Sequence, residues 1–290
     1  MRLLAFRKRL LKKISERNTN EKGIARNRMD IKVIVATHKQ YRMPSDNCYM
    51  PLHVGKQGKV DLGYLGDDSG DSISEKNGHY CELTGLYWAW KNLKSDYIGL
   101  VHYRRYLANR WRKLMFWKRD PFYSVLTKKE IEQLLKKTDI ILPAKRHYFI
   151  ESLYSHYSHT HYEEHLIITR NILEQTNPAY LEAYDRIMKK RSGHMFNMFI
   201  MSRKKCNEYC SWLFPILEEL EKQVDFNQYD AFQRRMFGRV SELLLNVWIE
   251  QKQYNYQCVP VVNIEKSNLH KRIPAFLKAK FLNKKYSGSF

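Results

Sequence analysis

At 290 residues the chain is long enough to bury a sizeable core, and one domain with appended ends is a more economical reading than two small domains. A formal charge of +21, from 51 Lys and Arg against 30 Asp and Glu, points to an acidic partner: nucleic acid, an anionic membrane surface or a nucleotide-diphosphate ligand. The five cysteines form no C-x-x-C pair and read as a reducing compartment, and no apolar run approaches the roughly 20 residues of a spanning helix.

The N-terminal extension, residues 1–30, threads Leu3, Leu4, Phe6, Leu10 and Leu11 with Arg2, Arg7, Lys8, Arg9 and Lys12. On a helix this gives one oily and one cationic face, as in membrane-surface helices; a solvated basic tail is the alternative. It is too charged for a secretory signal, so a cytoplasmic protein, held peripherally at the inner face of the cell membrane, is expected. The β-branched run Ile31 to Ala36 reads as a first buried strand ending in Thr37, His38 and Lys39. An acidic, Gly- and Ser-rich loop follows, with Asp61, Asp67, Asp68 and Asp71, and then Asn77 caps a helix striped by Tyr80, Leu83, Leu86, Tyr87 and Trp90. Tyr97 to Val101 is a second strand, ending in His102, Tyr103, Arg104 and Arg105. Thr127 opens a capped helix through Ile131 and Leu135, and further strands are predicted over 139–142 and 198–201. The second half is more helical, over 166–175, 179–189, 206–224 and 240–251, and residues 265–290 form a second basic amphipathic tail. Strand and helix alternate as in an α/β fold, whose ligands bind beyond the carboxyl ends of the strands.

The polar clusters that follow the apolar runs are therefore the candidates for chemistry. Arg104 and Arg105 offer forked donors that match phosphate oxygens, and would stabilise a leaving diphosphate without a metal; pairing with the loop at Asp67 and Asp68 is the structural alternative. Asp67 and Asp68 could instead orient sugar hydroxyls, bind Mn²⁺ or Mg²⁺, or simply form a solvated turn, and no metal ligand set is assigned. Glu82 stands in the first turn of the aromatic helix, where the helix dipole alone favours it, yet it could also take a proton from an acceptor hydroxyl. Glu242 opens an apolar helix and carries the same two readings. The Tyr- and His-rich stretch around His156, Tyr157 and His161 reads as a polar cleft wall for acceptor or sugar, and Asn197 precedes a strand that would aim it at the same crevice. No nucleophile elbow, Walker loop, G-x-G-x-x-G or H-E-x-x-H is present.

The segments IKVIVATHK, DLGYLGDDSGDSISEKNGHYCELTGLYWAWKN, YIGLVHYRRY, DIILPAKRHYFIESLYSHYSHTHY, GHMFNMFIMSRKKCNEYCSWLFPIL and FGRVSELLLNVWI resemble the successive blocks of a bacterial family long labelled a domain of unknown function, found in capsular and exopolysaccharide biosynthesis loci and regarded as glycosyltransferases. The resemblance runs over residues 31–264. It implies a GT-A-like nucleotide-sugar fold and a galactose-type donor, pyranose or furanose. The family's block residues fall on Thr37, His38, Lys39, Asp67, Asp68, Asn77, Tyr80, Glu82, His102, Tyr103, Arg104, Arg105, His156, Asn197 and Glu242.

The expected activity is hexosyl transfer from a UDP-sugar to a lipid-linked glycan acceptor. Thr37, His38, Lys39, Asp67, Asn77, Tyr80, His102, Tyr103, Arg104 and Arg105 would bind the donor. Asp68, Glu82 or Glu242 would act on the acceptor hydroxyl, with His156, Tyr157, His161 and Asn197 on the acceptor or sugar side. Anionic lipid is the expected partner of the tails and nucleic acid is not expected. The rival reading is a non-catalytic nucleic-acid or anionic-membrane adaptor.

Overall fold

The computed structural model describes residues 29–115 and 120–265, so the basic extension and tail fall, but for residues 29, 30 and 265, outside the described residues. Strand β1 (Ile31–Thr37) is central, with β2 (Tyr49–His53) parallel to it on one side and β4 (Tyr97–His102) parallel on the other; β3 (Leu65–Gly66) extends the sheet beyond β2. Val33, Ile34 and Val35 are fully buried. A strand covered on both faces needs no polar alternation, which is why this one reads as a continuous β-branched run.

The helix expected to start at Asn77 is two helices, α1 (Asn77–Tyr80) and α2 (Leu83–Asn92), broken at Cys81, whose φ is 54° and ψ −128°. After β4 the chain turns into β5 (Arg105–Leu107), the short α3 (Arg110–Met115) and α4 (Lys128–Leu135). Thr127 and Glu130 close the capping box their spacing predicts, each bonding the other's backbone N–H. Then come β6 (Ile140–Pro143), β7 (Arg146–His147), α5 (Leu153–Thr160), α6 (Glu164–Thr176), α7 (Leu181–Lys189) and β8 (Ser192–Gly193), which pairs with β7. Strand β9 (Phe199–Ser202) leads into α8 (Arg203–Gln223) and α9 (Met236–Lys252), and the described chain closes with β10 (Gln257–Val259) and β11 (Val261–Asn263). Among the described residues no helix is long and apolar enough to cross a membrane.

The sheet order is β10-β6-β9-β4-β1-β2-β3, with β11 joined to β4 through β5. Helices flank a largely parallel sheet, the α/β class expected, with the second half the more helical. Within the main path β9 runs against both neighbours, β4 and β6. Its first residues therefore arrive at the sheet edge where β1 and β4 end. Helix α9 is apolar on nearly every face, with Phe237, Leu244, Leu245 and Trp248 fully buried. That all-round burial fixes the position of its first turns, which lie at the same edge.

Candidate active site

Two loops set up the site. The acidic turn does so from underneath. Asp67 is fully buried: its carboxylate accepts from the backbone N–H of Gly55 (2.8 Å) and Lys56 (3.1 Å), from Ser74 Oγ (2.5 Å) and from Thr84 Oγ1 (2.6 Å). Four donors use up its acceptor sites, so the expectation that Asp67 meets the donor is corrected: it ties β2, β3 and α2 into one block. Gly55, at φ +63°, makes this possible, since a Cβ there would lie 2.5 Å from the Asn77 side chain. Asn77 in turn donates to the Cys81 carbonyl (2.7 Å) and to Thr84 Oγ1 (3.1 Å). It therefore braces the turn before Glu82. Tyr80 is likewise corrected: it is buried, stacks on Phe237 with centroids 4.8 Å apart, and donates to Glu221 (3.0 Å).

The second loop comes from above. Phe196 and Asn197, just ahead of β9, both have positive φ, 77° and 52°, an arrangement costly for residues with a Cβ and concentrated at functional sites. It turns three polar groups inward. The Phe196 N–H donates to the Glu242 carboxylate. The Phe196 carbonyl lies 2.6 Å from His102 Nε2, which donates to it. Asn197 Nδ2 donates to Glu82 (2.7 Å) and to the Gly238 carbonyl (2.7 Å), while its Oδ1 accepts from Ser241 Oγ (2.9 Å). Glu82 from the start of α2 and Glu242 from α9 are thus held side by side by one strained dipeptide.

Their proximity has an electrostatic consequence. Burial and the neighbouring Glu82 charge push the Glu242 carboxyl up to about 7, against the opposing pull of the Phe196 N–H, Arg239 and Arg146. Burial pushes His102 below its ordinary value although Glu82 favours its charged form. Arg239, facing Glu242, is fixed from behind: its Nη1 is 2.8 Å from His161 Nε2, and it stacks over Phe232 at 4.0 Å. His161 Nδ1 lies 2.8 Å from Gln233 Oε1. A guanidinium can only donate, so His161 Nε2 accepts and Nδ1–H donates to Gln233. Burial and Arg239 hold this imidazole well below its ordinary value. Arg235 donates to Cys81 Sγ (3.1 Å) beside Glu82. Its charge and those of Lys39, Arg104 and Lys59 lower His38, after burial, so these cations share one rim with the end of β1.

The remaining expected residues fall around this pair. Thr37 is buried, and its hydroxyl bonds the Lys39 carbonyl (2.6 Å), shaping the turn after β1. His38 packs edge-on against Tyr103 (5.3 Å), with Lys39 over the same ring at 5.3 Å. Arg105 stacks over Phe196 at 4.7 Å and faces the crevice. Arg104 does not pair with the acidic loop; it pairs with Glu265 at 3.1 Å. Asp68 is exposed on its turn, and among the described residues no hydrogen bond or ion pair joins it to either glutamate. His156 bonds the buried Glu151 (2.8 Å), which also holds His159 (2.6 Å). Tyr157 is buried, with its hydroxyl hydrogen-bonded to His165 Nδ1 (2.9 Å) and Tyr184 beyond, so that hydroxyl is already engaged within the fold. Arg235, Arg239 and Phe196 were not nominated by sequence. The arginines flanking the start of α9 were the available signal for Arg235 and Arg239.

Among the described residues no group of three or more His, Cys, Asp or Glu could hold a metal ion. Asp67 is saturated by its four donors, and Asp68 stands apart from the glutamate pair. What the site offers is a carboxylate able to exchange a proton near neutral pH, beneath a rim of fixed cations.

The chain belongs to the family described as a domain of unknown function (DUF4422), which it matches over residues 32–253. A solved structure titled as the apo form of the bifunctional glycosyltransferase WbbM is similar to it, with a TM-score of 0.73 and 28% identity. The match covers 82% of this chain and 46% of that one, so this chain spans about half the length of that protein. No curated protein sequence matches the chain.

Proposed function

We propose that the protein is a glycosyltransferase that uses a nucleotide-diphosphate sugar. The observation that carries this is the pairing of Glu82 with Glu242 under Arg105, Arg235 and Arg239, and the likeness to WbbM supports glycosyl transfer in general. In this reading the acceptor hydroxyl oxygen bonds to the anomeric carbon as the bond from that carbon to the diphosphate breaks. The hydroxyl proton passes to Glu242, whose value near 7 suits a general base. The diphosphate leaves with the bonding electrons, and the guanidinium groups and Lys39 neutralise its charge. Glu82 raises the basicity of Glu242, and the Phe196 N–H, next to the Asn197 that holds Glu82, positions it. The finer reading is a UDP-linked galactose, pyranose or furanose, transferred to a lipid-linked glycan for surface polysaccharide. It follows from the resemblance of the sequence blocks.

The test is a panel of nucleotide sugars, scored by thermal shift and by transfer to hydroxyl acceptors, with Glu242→Gln alongside. The expected result is stabilisation by one UDP-hexose and product formation lost in the variant. Stabilisation by none of the panel, or equal turnover by Glu242→Gln, would refute the assignment. We further propose that the cationic rim replaces a divalent ion at the diphosphate. EDTA should leave turnover nearly unchanged, whereas a loss restored by Mn²⁺ would return attention to Asp68.

A further inference from the structure

We infer that α3 is a membrane-docking element that inserts into the headgroup region of an anionic bilayer. The inference does not rest on the reaction proposed above. Helix α3 buries none of its residues, and Trp111, Leu114 and Met115 are 70%, 63% and 70% exposed. Three large apolar side chains on one exposed turn are unusual for a soluble surface. The turn is nonetheless rigidly mounted. Asn109 caps it by accepting from the Arg112 N–H (3.1 Å) and donates to Glu130 (2.6 Å). Arg112 donates to the Val125 carbonyl (2.8 Å) and pairs with Glu130, and Lys113 donates to the Val261 carbonyl (2.8 Å). The polar side chains hold the helix down, and the apolar ones point away.

Charge selects the occupant. The helix itself carries Arg110, Lys113 and Arg112, the last paired with Glu130, and residues 108–115 include no carboxylate. Beside the helix a groove of about 810 Å³ is lined by Trp111, Leu134 and Pro260, by Arg110, Lys136 and Lys137, and by Glu130, whose charge Arg112 offsets. Apolar tips flanked by cations, with an aromatic ring at the boundary, match an interface that is oily within and anionic at its surface. A second copy fits less well, because a two-fold contact would set Arg110, Lys136 and Lys137 against the same cations. Nucleic acid could use the cations and Trp111, but Leu114 and Met115 offer it nothing.

The experiment uses the full chain with vesicles of phosphatidylcholine alone or with about one-third phosphatidylglycerol, some carrying brominated acyl chains that quench tryptophan on contact. The wild type should sediment with the anionic vesicles, and brominated lipid should quench it more than Trp111→Phe. The double variant Trp111→Ser/Leu114→Ser should bind about ten-fold more weakly while its melting temperature stays unchanged. Three results would overturn the proposal: no binding to anionic vesicles, equal binding of the double variant, or equal quenching of Trp111→Phe and the wild type, which would place the contact elsewhere. A dimer of the wild type that the double variant abolishes would also overturn it, in favour of a contact between copies. So would RNA binding that the double variant loses while vesicle binding persists.

Discussion

Asn197 and Glu82 meet at 2.7 Å across the crevice, the one from the start of an antiparallel strand and the other from the cap of a helix that is interrupted one residue earlier. The amide donates from a left-handed backbone, at φ 52°. Asn197→Gly keeps that backbone within reach and removes the amide. It should lower kcat by about ten- to a hundred-fold with little change in KM, as expected for a residue that holds Glu82 beside the base rather than binding substrate. Steady-state kinetics with the identified donor checks this; a change confined to KM would place Asn197 in binding instead.

Glu242→Gln should cost about 10²- to 10⁴-fold in kcat and yet raise thermal stability. The sign follows from the raised value. The folded protein holds this proton up to about pH 7, whereas an unfolded Glu releases it near pH 4. Stability from this group is therefore fully present below the unfolded value and is lost as pH rises through 7. Gln mimics the protonated form throughout. Melting temperatures of the two proteins should converge below about pH 4 and separate progressively above it, with the variant higher at pH 8.

Arg239→Met removes a charge that lowers Glu242. The acidic limb of the pH profile of kcat/KM, expected near 7 in the wild type, should move upward, and KM for the nucleotide sugar should rise. Arg104→Ala should change KM less, because its guanidinium is already bound to Glu265. A larger effect from Arg104 than from Arg239 would reverse their assigned roles.

Asp67→Asn replaces a four-fold acceptor with one that presents an NH₂ group to donors already in place. The loss should be about 3 kcal/mol in urea unfolding, since the bonds are buried and charge-assisted. Activity per folded molecule should survive if Asp67 only braces the loop.

These contrasts show where the sequence was legible. Strands β1, β4 and β9 announced themselves as β-branched or apolar runs, and Thr127 with Glu130 announced a helix start, because burial and capping are local in the chain. Strand β2 did not, since Pro51 within it argues against a strand. The glutamates and Asn197 were legible as polar residues at element ends. Asp67 and Asp68 were not distinguishable, because adjacent residues on one turn point opposite ways, one into the fold and one into water. The bond between Arg239 and His161 joins residues far apart in sequence and left no pattern to read.

Strand β9 also constrains how the molecule can be made. It pairs with residues 97–100 on one side and residues 140–141 on the other, so it is the seam between two groups of strands that do not otherwise touch in the sheet. Until Phe199 to Ser202 have left the ribosome, β4 and β6 each present an open hydrogen-bonding edge, which invites mispairing. The sheet therefore closes late in synthesis, and the same step carries Asn197 to Glu82: a chain stalled before residue 197 lacks the brace that holds Glu82 as well as the strand that joins its halves.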